Sequence, residues 1–280
     1  MAIQSDDGES LKMNIRASML PSYPDCPRRA VAKQFRRKFE KLGYTFRELP
    51  PSVGAAAGTA THTGCEQILR ARHAGRDITL DEALAPALAG FAEETAPGAI
   101  WDDTTPNANT AHQQITRMVL AYQQLKITPL SVNGEPAVEL ALEADCGGDW
   151  KLTGHIDVID GNGWPRDTKT GALVRPYAAQ LGGYSLLVRS NQITPVNGLC
   201  IDFIQRVGKT KPQPPCITHV YPVAGAERRA AGLITRIKDD MAKFDETGNV
   251  ESFMANDNSM MCSDKYCPAW GTGFCELVGR

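Results

Sequence analysis

The sequence predicts an α/β fold in which a mixed sheet is flanked by helices, and three observations support this. Four segments with helical patterns precede residue 130. Three strand-like segments then follow one another, joined by glycine-containing turns. A helix, two more strands and a long helix come next, before a tail that holds three of the eight cysteines. With 280 residues and 42% hydrophobic content, the chain can bury the core of one sizeable domain.

The first half of the chain is predicted to be helical. Residues 1–17 are polar and are expected to form a flexible tail. A helix is predicted over residues 22–42, with Pro27 in the first turn, where the N–H that proline lacks would have no partner. A glycine and alanine stretch, residues 54–58, leads into a second helix over residues 59–74. Two further helices are predicted over residues 80–94 and 110–126.

The second half is predicted to contain the sheet. Residues 137–144, 150–159 and 164–169 form three strands, connected by turns at 146–149 and 160–163. A helix over 177–189, strands over 198–205 and 217–223, and a helix over 226–244 follow. We therefore expect one domain over residues 18–280, made of a helical part (18–130), a core that carries the sheet (131–247) and a cysteine tail (248–280).

Charge and composition exclude some classes of function. The net charge of −2 argues against a protein that binds polyanions through overall charge, so any nucleic-acid contact needs a local basic patch. One candidate is the predicted first helix, which carries Arg28, Arg29, Lys33, Arg36, Arg37 and Lys41; this is either a solvated face or a surface that follows phosphates. The chain shows no signal peptide or membrane span, so we expect a soluble, cytoplasmic protein with reduced thiols.

The strongest chemical signal lies on two neighbouring predicted strands. Asp157 stands near the end of one strand, and Asp167-Thr168-Lys169 ends the next. Because a tight turn joins these strands, the two aspartates can converge, and paired carboxylates can hold a hard divalent cation. Side chains alternate along a strand, so Asp167 and Lys169 share a face. The ammonium could orient a water molecule or offset charge on a phosphate, or it could form a plain salt bridge.

An Asp-x-Lys triplet alone is a weak signal, and the chain contains a second one, Asp149-Trp150-Lys151. We set this triplet aside, because its nearest upstream carboxylate, Asp145, lies across the same turn. No intervening strand is left to carry a partner for it.

An ordered set of residues surrounds the first triplet. Gly58-xxx-His62 lies upstream, Gly154-xx-Asp157 precedes Asp167-x-Lys169, and Gln180-xxx-Tyr184 follows on one helical face. In this order the set resembles the RecB-like exonucleases of the PD-(D/E)xK superfamily, which include CRISPR-associated four-cysteine and phage exonucleases. The resemblance covers about residues 18–275, and it implies a restriction-endonuclease-like core.

The resemblance also implies roles for individual residues. His62, Asp157, Asp167 and the backbone carbonyl of Thr168 would bind Mg²⁺ or Mn²⁺, Lys169 would be the catalytic lysine, and Gln180 and Tyr184 would position the lysine or the nucleic-acid backbone. Glu139, on the first strand of the meander, is a further acidic candidate of lower rank. Taken singly, each of these side chains would have an ordinary structural explanation.

The cysteine tail is expected to bind metal. Cys262, Cys267 and Cys275 are separated by four and seven residues, and the resemblance supplies a fourth ligand from the first helix, where Cys26 stands. Four thiolates would hold a structural 4Fe-4S cluster and join the two ends of the chain. The gaps are wider than in the familiar members, which leaves zinc as the alternative.

The site residues predict metal-dependent hydrolysis of phosphodiester bonds in DNA. The resemblance implies an exonuclease that acts on single strands or DNA ends, in phage or prokaryotic recombination, repair or CRISPR adaptation. Trp270 and Tyr266 in the tail are weaker candidates for base stacking. The alternative is a non-catalytic DNA-binding or assembly module, in which the cysteines form a clasp and the acidic residues form salt bridges.

Overall fold

A computed structural model describes residues 13–276 and contains a six-stranded mixed sheet with helices on both faces. The strands of the main sheet are β1 (Met13–Arg16), β4 (Val138–Asp145), β5 (Trp150–Ile159), β6 (Pro165–Gly171), β7 (Leu199–Gln205) and β8 (Ile217–Tyr221). Two short strands, β2 (Ser131–Val132) and β3 (Glu135–Pro136), pair with each other as a separate ribbon. The predicted mixed α/β architecture is confirmed.

Seven α-helices lie in the described part of the chain: α1 (Pro27–Gln34), α2 (Arg36–Lys41), α3 (Val53–His73), α4 (Leu80–Thr95), α5 (Ala108–Gln123), α6 (Ala178–Ser190) and α7 (Val223–Thr247). Short 3-10 helices occupy Ala17–Ser22 and Val250–Ser252. None of these helices combines the length and the apolar composition that crossing a membrane requires.

The sheet runs in the order β1-β5-β6-β7-β8. Strands β1 and β6 pair with the start and the end of one edge of β5, and β4 pairs along the other edge. Strand β5 is antiparallel to both β4 and β6, whereas β6 and β7 are parallel and are connected through α6. The turns between β4, β5 and β6 are short, as their glycine-containing sequences predict. This meander brings the start of β4 and the end of β5 next to the start of β6.

Two hydrophobic clusters cover the two faces of the sheet. One joins α6 and α7 to Leu152, Ile156 and Leu199 of the strands and extends to α1, α2 and the tail. The other joins α3, α4 and α5 to Val138, Val158 and Ile204. Both clusters contain many fully buried aliphatic side chains, each of which contributes roughly 1.5–3 kcal/mol through burial.

The amino-terminal region differs from the prediction in two ways. Residues 1–12 lie outside the described residues, but Met13–Arg16 form a strand parallel to β5, so this part of the expected flexible tail belongs to the sheet. The predicted helix over residues 22–42 is interrupted at Phe35 (φ −112°, ψ 25°), which separates α1 from α2. Phe35 itself is buried against Trp150, with the ring centroids 5.8 Å apart.

Helix α3 begins earlier than predicted. The segment 54–58, expected to lead into the helix, forms its first turns, and the Ser52 side chain caps it by accepting a hydrogen bond from the Ala55 N–H. Ala56, Ala57 and Gly58 are buried there. The small side chains therefore allow the helix to pack closely against the sheet. This packing depends on distant residues, so the local sequence does not predict it.

Candidate functional site

The candidate site lies where α3 crosses β4, β5 and β6, and it contains most of the residues singled out from the sequence. Helix α3 contributes His62, β5 contributes Asp157, and β6 contributes Asp167 and Lys169. Helix α6 contributes Gln180 and Tyr184 from the opposite side of the sheet. Residues from both halves of the chain thus meet in one place.

Two glycines allow this convergence. A Cβ at Gly58 would lie 2.8 Å from Thr170 Oγ1, so the glycine lets α3 approach β6 one turn before His62. A Cβ at Gly154 would lie 3.1 Å from the Tyr184 ring, so this glycine leaves space for Tyr184 beneath the strand. The glycines of the two motifs therefore act by allowing close approach rather than by adopting unusual backbone angles.

His62 and Asp157 form a contact between α3 and β5. His62 Nδ1 lies 3.1 Å from Asp157 Oδ2, and the backbone N–H of Thr168 donates to the same oxygen at 2.7 Å. Burial raises the pKa of Asp157, but the His62 charge and hydrogen bond outweigh it, so the pKa lies below its ordinary value. Burial lowers the pKa of His62, yet Asp157 shifts it above its ordinary value.

Asp167 is buried and surrounded by donors. Lys169 Nζ lies 2.7 Å from its Oδ2, while Gln180 Nε2 donates to its Oδ1 at 2.9 Å and the Tyr184 hydroxyl donates to the same atom at 3.2 Å. Gln180 Nε2 also donates to the Tyr184 hydroxyl oxygen at 2.8 Å. Burial raises the pKa of Asp167 to about 6; nearby Asp157 adds to the shift, and Lys169 opposes it.

Lys169 is held as a cation within this group. Burial lowers its pKa, but the charges of Asp167 and Asp157 outweigh this effect and raise the pKa above its ordinary value. Its Nζ also lies 5.0 Å from the centre of the Tyr177 ring, within the range of a cation–π contact. Tyr177 was not singled out from the sequence, because it belongs to none of the spaced motifs.

Glu139 is closer to the centre of the site than its rank from the sequence indicated. It lies on β4 between the pairs Val138↔Val158 and Leu140↔Ile156, opposite Asp157. Its φ of +51° places it in the left-handed region, where few residues other than glycine are found. Although the residue is partly exposed, desolvation of the carboxyl and the charge of Asp157 raise its pKa to about 7.

Three of these residues could hold a metal ion. One ligand atom from each of His62, Glu139 and Asp157 lies within 4.8 Å of the others, and within the described residues this is the one such group of histidine, cysteine and acidic side chains. Ligands around a small divalent cation, at about 2.0–2.2 Å from it, stand roughly 3–4 Å apart. Asp167 lies beside this group, but both of its oxygens already contact donors.

The four cysteines of the expected clasp line one cavity. Cys26, at the N-cap of α1, faces Cys262, Cys267 and Cys275 of the tail, and Arg29 is part of the same wall. The negative charge that Cys26 and Cys275 would carry adds to burial in raising the pKa of Cys267. Four thiol groups from both ends of the chain therefore meet, and such a donor set fits a thiolate-bound metal centre.

Arg28 and Arg29 do not form part of an exposed basic face, which corrects that part of the sequence interpretation. Arg28 is 4% exposed, donates to the backbone carbonyls of Phe253 and Val250, and pairs with Glu251. Arg29 is 7% exposed and pairs with Asp25 at 2.6 Å. Arg28 attaches the tail to α1 and Arg29 is held by Asp25 just before that helix, whereas Lys33, Arg37 and Lys41 remain exposed.

The second Asp-x-Lys triplet lies away from the site. Lys151 Nζ forms a salt bridge with Glu143 at 2.6 Å across β4 and β5, and Glu143 is mostly exposed. Asp149 is exposed in the turn. This triplet belongs to the surface of the sheet, and it provides a matched control for experiments on Asp167 and Lys169.

Comparison with known proteins identifies the family. The chain is similar in structure to a candidate exonuclease from Eubacterium rectale, with a TM-score of 0.50, 12% sequence identity and 85% of each chain covered, which shows a shared fold. No curated protein sequence matches the chain significantly. A sequence model of the PD-(D/E)XK nuclease superfamily matches residues 16–272, nearly the whole chain. On this evidence, the chain belongs to the PD-(D/E)XK nuclease superfamily.

Proposed function

We propose that the protein is a metal-dependent DNA exonuclease that hydrolyses phosphodiester bonds on single strands or at DNA ends. One observation carries the proposal: an imidazole, three carboxylates and a half-buried ammonium from α3, β4, β5 and β6 occupy one site. Within the superfamily, this set suits hydrolysis with a divalent cation. The context we propose is phage or prokaryotic recombination, repair or CRISPR adaptation.

His62, Glu139 and Asp157 would hold Mg²⁺ or Mn²⁺, with Asp167 and the Thr168 carbonyl as further ligands. Each carboxylate oxygen can accept more than one contact, so Asp167 can bind a cation while it keeps its present donors. When bound, the cation polarises a phosphoryl oxygen and activates a water molecule for attack. Thr168 is buried beside Asp157, to which its N–H donates, so its backbone is fixed at the site.

Lys169 would act on the reacting phosphate. An ammonium has three donors, and one of them is directed to Asp167, which leaves others for the attacking water or a phosphate oxygen. Positive charge aimed at the place where negative charge develops lowers the barrier of such a reaction. Gln180 and Tyr184 hold Asp167 and thereby fix the position of Lys169; they are positioning residues.

The test compares the two Asp-x-Lys triplets in the same assay. End-labelled linear single strands are incubated with Mn²⁺ or with a chelator, using the wild type, Lys169→Ala and Lys151→Ala. We expect Mn²⁺-dependent release of short products by the wild type and by Lys151→Ala, and a rate lower by about 10²–10³-fold for Lys169→Ala. Equal rates for the two variants would place the activity elsewhere.

The exonuclease assignment needs a separate comparison of substrates. Closed circular single strands offer no end, so an exonuclease leaves them intact while it degrades the linear form of the same sequence. Cleavage of both forms at similar rates would indicate an endonuclease and would overturn this part of the proposal.

The alternative function, a DNA-binding or assembly module without catalysis, makes the opposite prediction. Its acidic residues would form salt bridges only, so the protein would bind DNA in Mn²⁺ without degrading it. The contacts His62–Asp157 and Lys169–Asp167 are compatible with this alternative. The three-ligand group that includes Glu139 favours hydrolysis, because a salt-bridge network does not require a second carboxylate beside Asp157.

We further propose that Cys26, Cys262, Cys267 and Cys275 hold a 4Fe-4S cluster. Zinc is the alternative, since four thiolates suit both. Sulfurs around one zinc ion lie about 3.8 Å apart, at a Zn–S distance of about 2.3 Å. Among the described residues, no three cysteine sulfurs lie within 4.8 Å of one another, which supports the larger cluster over a single zinc ion.

Arg29 also supports an anionic metal centre in this cavity. Its Nε is buried and has no hydrogen-bond partner among the described residues, although the guanidinium is paired with Asp25 through another nitrogen. An unpartnered cationic donor in a buried wall is costly unless an anion faces it. A cluster bound by four thiolates carries net negative charge and would provide that partner.

Anaerobic purification with metal analysis separates the two metals. We expect a brown protein that contains about four iron atoms per chain and loses its colour on oxidation. A colourless protein with one zinc per chain would show that the four cysteines bind zinc and not a cluster. Nuclease activity is measured separately, so either outcome leaves the test of hydrolysis unaffected.

A further inference from the structure

A groove beside the candidate site has the features of a binding surface for a single strand. It has a volume of about 590 Å³ and is formed by the segment before α6, the end of β8 and the first turns of α7. Its lining includes Pro176, Tyr221, Arg228 and Arg229. None of its lining residues is acidic. This size falls within the range of roughly 300–1,000 Å³ that is typical of ligand sites.

The groove adjoins the catalytic lysine through a single residue. Pro176 and Ala178 line the groove, and Tyr177 between them lies under Lys169, with Nζ 5.0 Å from its ring centre. Lys169 in turn contacts Asp167 at 2.7 Å. A strand whose scissile phosphate lies at the metal site would therefore pass over Tyr177 to enter the groove.

The charges of the groove are free to bind phosphate. Arg228 and Arg229 are exposed and form no hydrogen bond or ion pair with any residue from 13 to 276. Two other arginines of α6 and α7 are paired: Arg189 with Glu227, and Arg236 with Asp240. Two unpaired guanidinium groups on a concave surface without acids attract a polyanion, and guanidinium geometry suits phosphate oxygens.

The groove also offers aromatic and apolar surface. Tyr221 lines the wall of the groove. In the segment before Pro176, the side chains of Leu173 and Val174 are 80% and 41% exposed. Bases stack on aromatic rings only when they are unpaired, and each stacked base contributes substantially to the binding of single strands. In a duplex, the base faces are covered by their neighbours, so this surface favours single-stranded DNA.

We propose that this groove binds the single-stranded DNA next to the scissile phosphate, with Arg228 and Arg229 on backbone phosphates and Tyr221 against a base. The inference rests on the proposed nuclease function and specifies its substrate as single-stranded. It assigns these three residues to substrate binding, not to the chemical step.

The test measures binding of a labelled oligothymidylate to the full chain in chelator, which prevents hydrolysis. For Arg228→Ala/Arg229→Ala, we expect weaker binding and a slope of log K against log salt that is less negative by about 1.4, since each phosphate contact contributes about 0.7 in single strands. Arg236→Ala removes a charge from the same helix at a paired position and should keep the wild-type slope. A double variant with the slope of Arg236→Ala would overturn the proposal.

Two substitutions at Tyr221 test stacking. Tyr221→Ala should weaken binding of the single strand by roughly fivefold to a hundredfold, while Tyr221→Phe, which keeps the ring, should restore it. A duplex of the same length should not respond to Tyr221→Ala. An equal loss with duplex, or no rescue by phenylalanine, would contradict a stacking role. Because no hydrolysis occurs in chelator, these results stand apart from the test of catalysis.

Discussion

Glu139 shows, at the scale of single residues, why one member of the site could be ranked only low from the sequence. On a regular strand, alternation would place Val138 and Leu140 on the same face, but Val138 packs with the α3–α5 cluster and Leu140 with the opposite one. The left-handed backbone of Glu139 produces this change of face. Such backbone strain is maintained by tertiary packing, so no local sequence pattern predicts it.

The other side chains of the site were recognisable because their types and spacings carry the chemistry. Asp157, Asp167 and Lys169 lie where strand alternation and a tight turn predict, and the distances between them follow from the register of β5 and β6. Neither the contact of Lys169 with Tyr177 nor the place of Arg29 in the cysteine cavity could be predicted this way. Both depend on packing between distant segments.

The raised pKa of Glu139 predicts how metal binding depends on pH. With a pKa of about 7 in the folded protein, above its ordinary value, ionisation of Glu139 reduces stability as pH rises towards 7. A bound cation removes this penalty and needs the ionised carboxylate. The increase in melting temperature caused by Mn²⁺ should therefore be larger at pH 8 than at pH 6.

Thermal unfolding with and without Mn²⁺ across this pH range checks the prediction. Glu139→Gln should bind Mn²⁺ more weakly and show a smaller pH dependence. The remaining dependence comes from Asp167, whose pKa is about 6, and from His62, whose pKa is raised and whose imidazole must lose its proton to bind the ion. The same Mn²⁺ effect at both pH values in the wild type would show that Glu139 does not ligate the ion.

Gln180 is predicted to act through Asp167. Its amide donates to Oδ1 of the buried carboxylate, and this bond favours the ionised form. Gln180→Leu should therefore raise the pKa of Asp167 further and shift the acid limb of the pH–rate profile to higher pH. It should also reduce stability by about 1–3 kcal/mol, the cost of an unpaired buried polar group. A lower rate with an unmoved acid limb would indicate a different role.

At the scale of elements, most helices and strands lie within a few residues of their predicted positions, because periodicity and turn residues are local signals. The elements that were predicted wrongly depend on pairing or packing between distant segments. Strand β1 is four residues long and is stabilised by β5, 137 positions away at Met13↔Trp150. The break at Phe35 places its ring against Trp150, also a distant residue.

The contact between α6 and α7 depends on Gly182. A Cβ at this position would lie 2.0 Å from the backbone oxygen of Ala226, so α7 would have to move. Gly182→Ala should destabilise the protein by about 1–3 kcal/mol or more. Gly232→Ala is the control on exposed α7 surface, where no atom lies within 4 Å; it should add up to about 1 kcal/mol of stability.

Urea denaturation of the two variants tests this reading. If both substitutions changed the free energy of unfolding equally, helix propensity would explain the effect. The close approach of α6 and α7 would then make no contribution to stability. The same displacement would disturb the groove at Ala226, so Gly182→Ala should also weaken binding of single strands.

At the scale of the whole molecule, α1 and α2 are held against the tail, residues 248–276, beside the sheet. Phe39 of α2 packs against Phe274 of the tail, with ring centroids 4.6 Å apart, and against Phe244 of α7 at 5.2 Å. Arg28 bonds to carbonyls at residues 250 and 253. The proposed cluster would complete this connection next to the aromatic contacts.

Loss of the cluster should therefore release the tail. In Cys275→Ser, we expect loss of the brown colour and rapid proteolysis between residues 255 and 276, because side-chain packing alone would not hold the tail once the metal centre is lost. Cys146→Ser, at a partly exposed cysteine in the β4–β5 turn, should keep both the colour and the resistance. A colourless Cys146→Ser protein or a resistant Cys275→Ser tail would contradict the clasp.

The proposed hydrolysis requires one shared site for metal and phosphate, and the most direct test of that site is the Mn²⁺-dependent cleavage rate of an end-labelled single strand. Asp157→Ala removes the carboxylate that contacts His62 and the Thr168 N–H, while Asp149→Ala alters an exposed turn. We predict wild-type cleavage by Asp149→Ala and a loss on the order of 10²-fold or more for Asp157→Ala. Undiminished cleavage by Asp157→Ala would contradict a shared site for metal and phosphate.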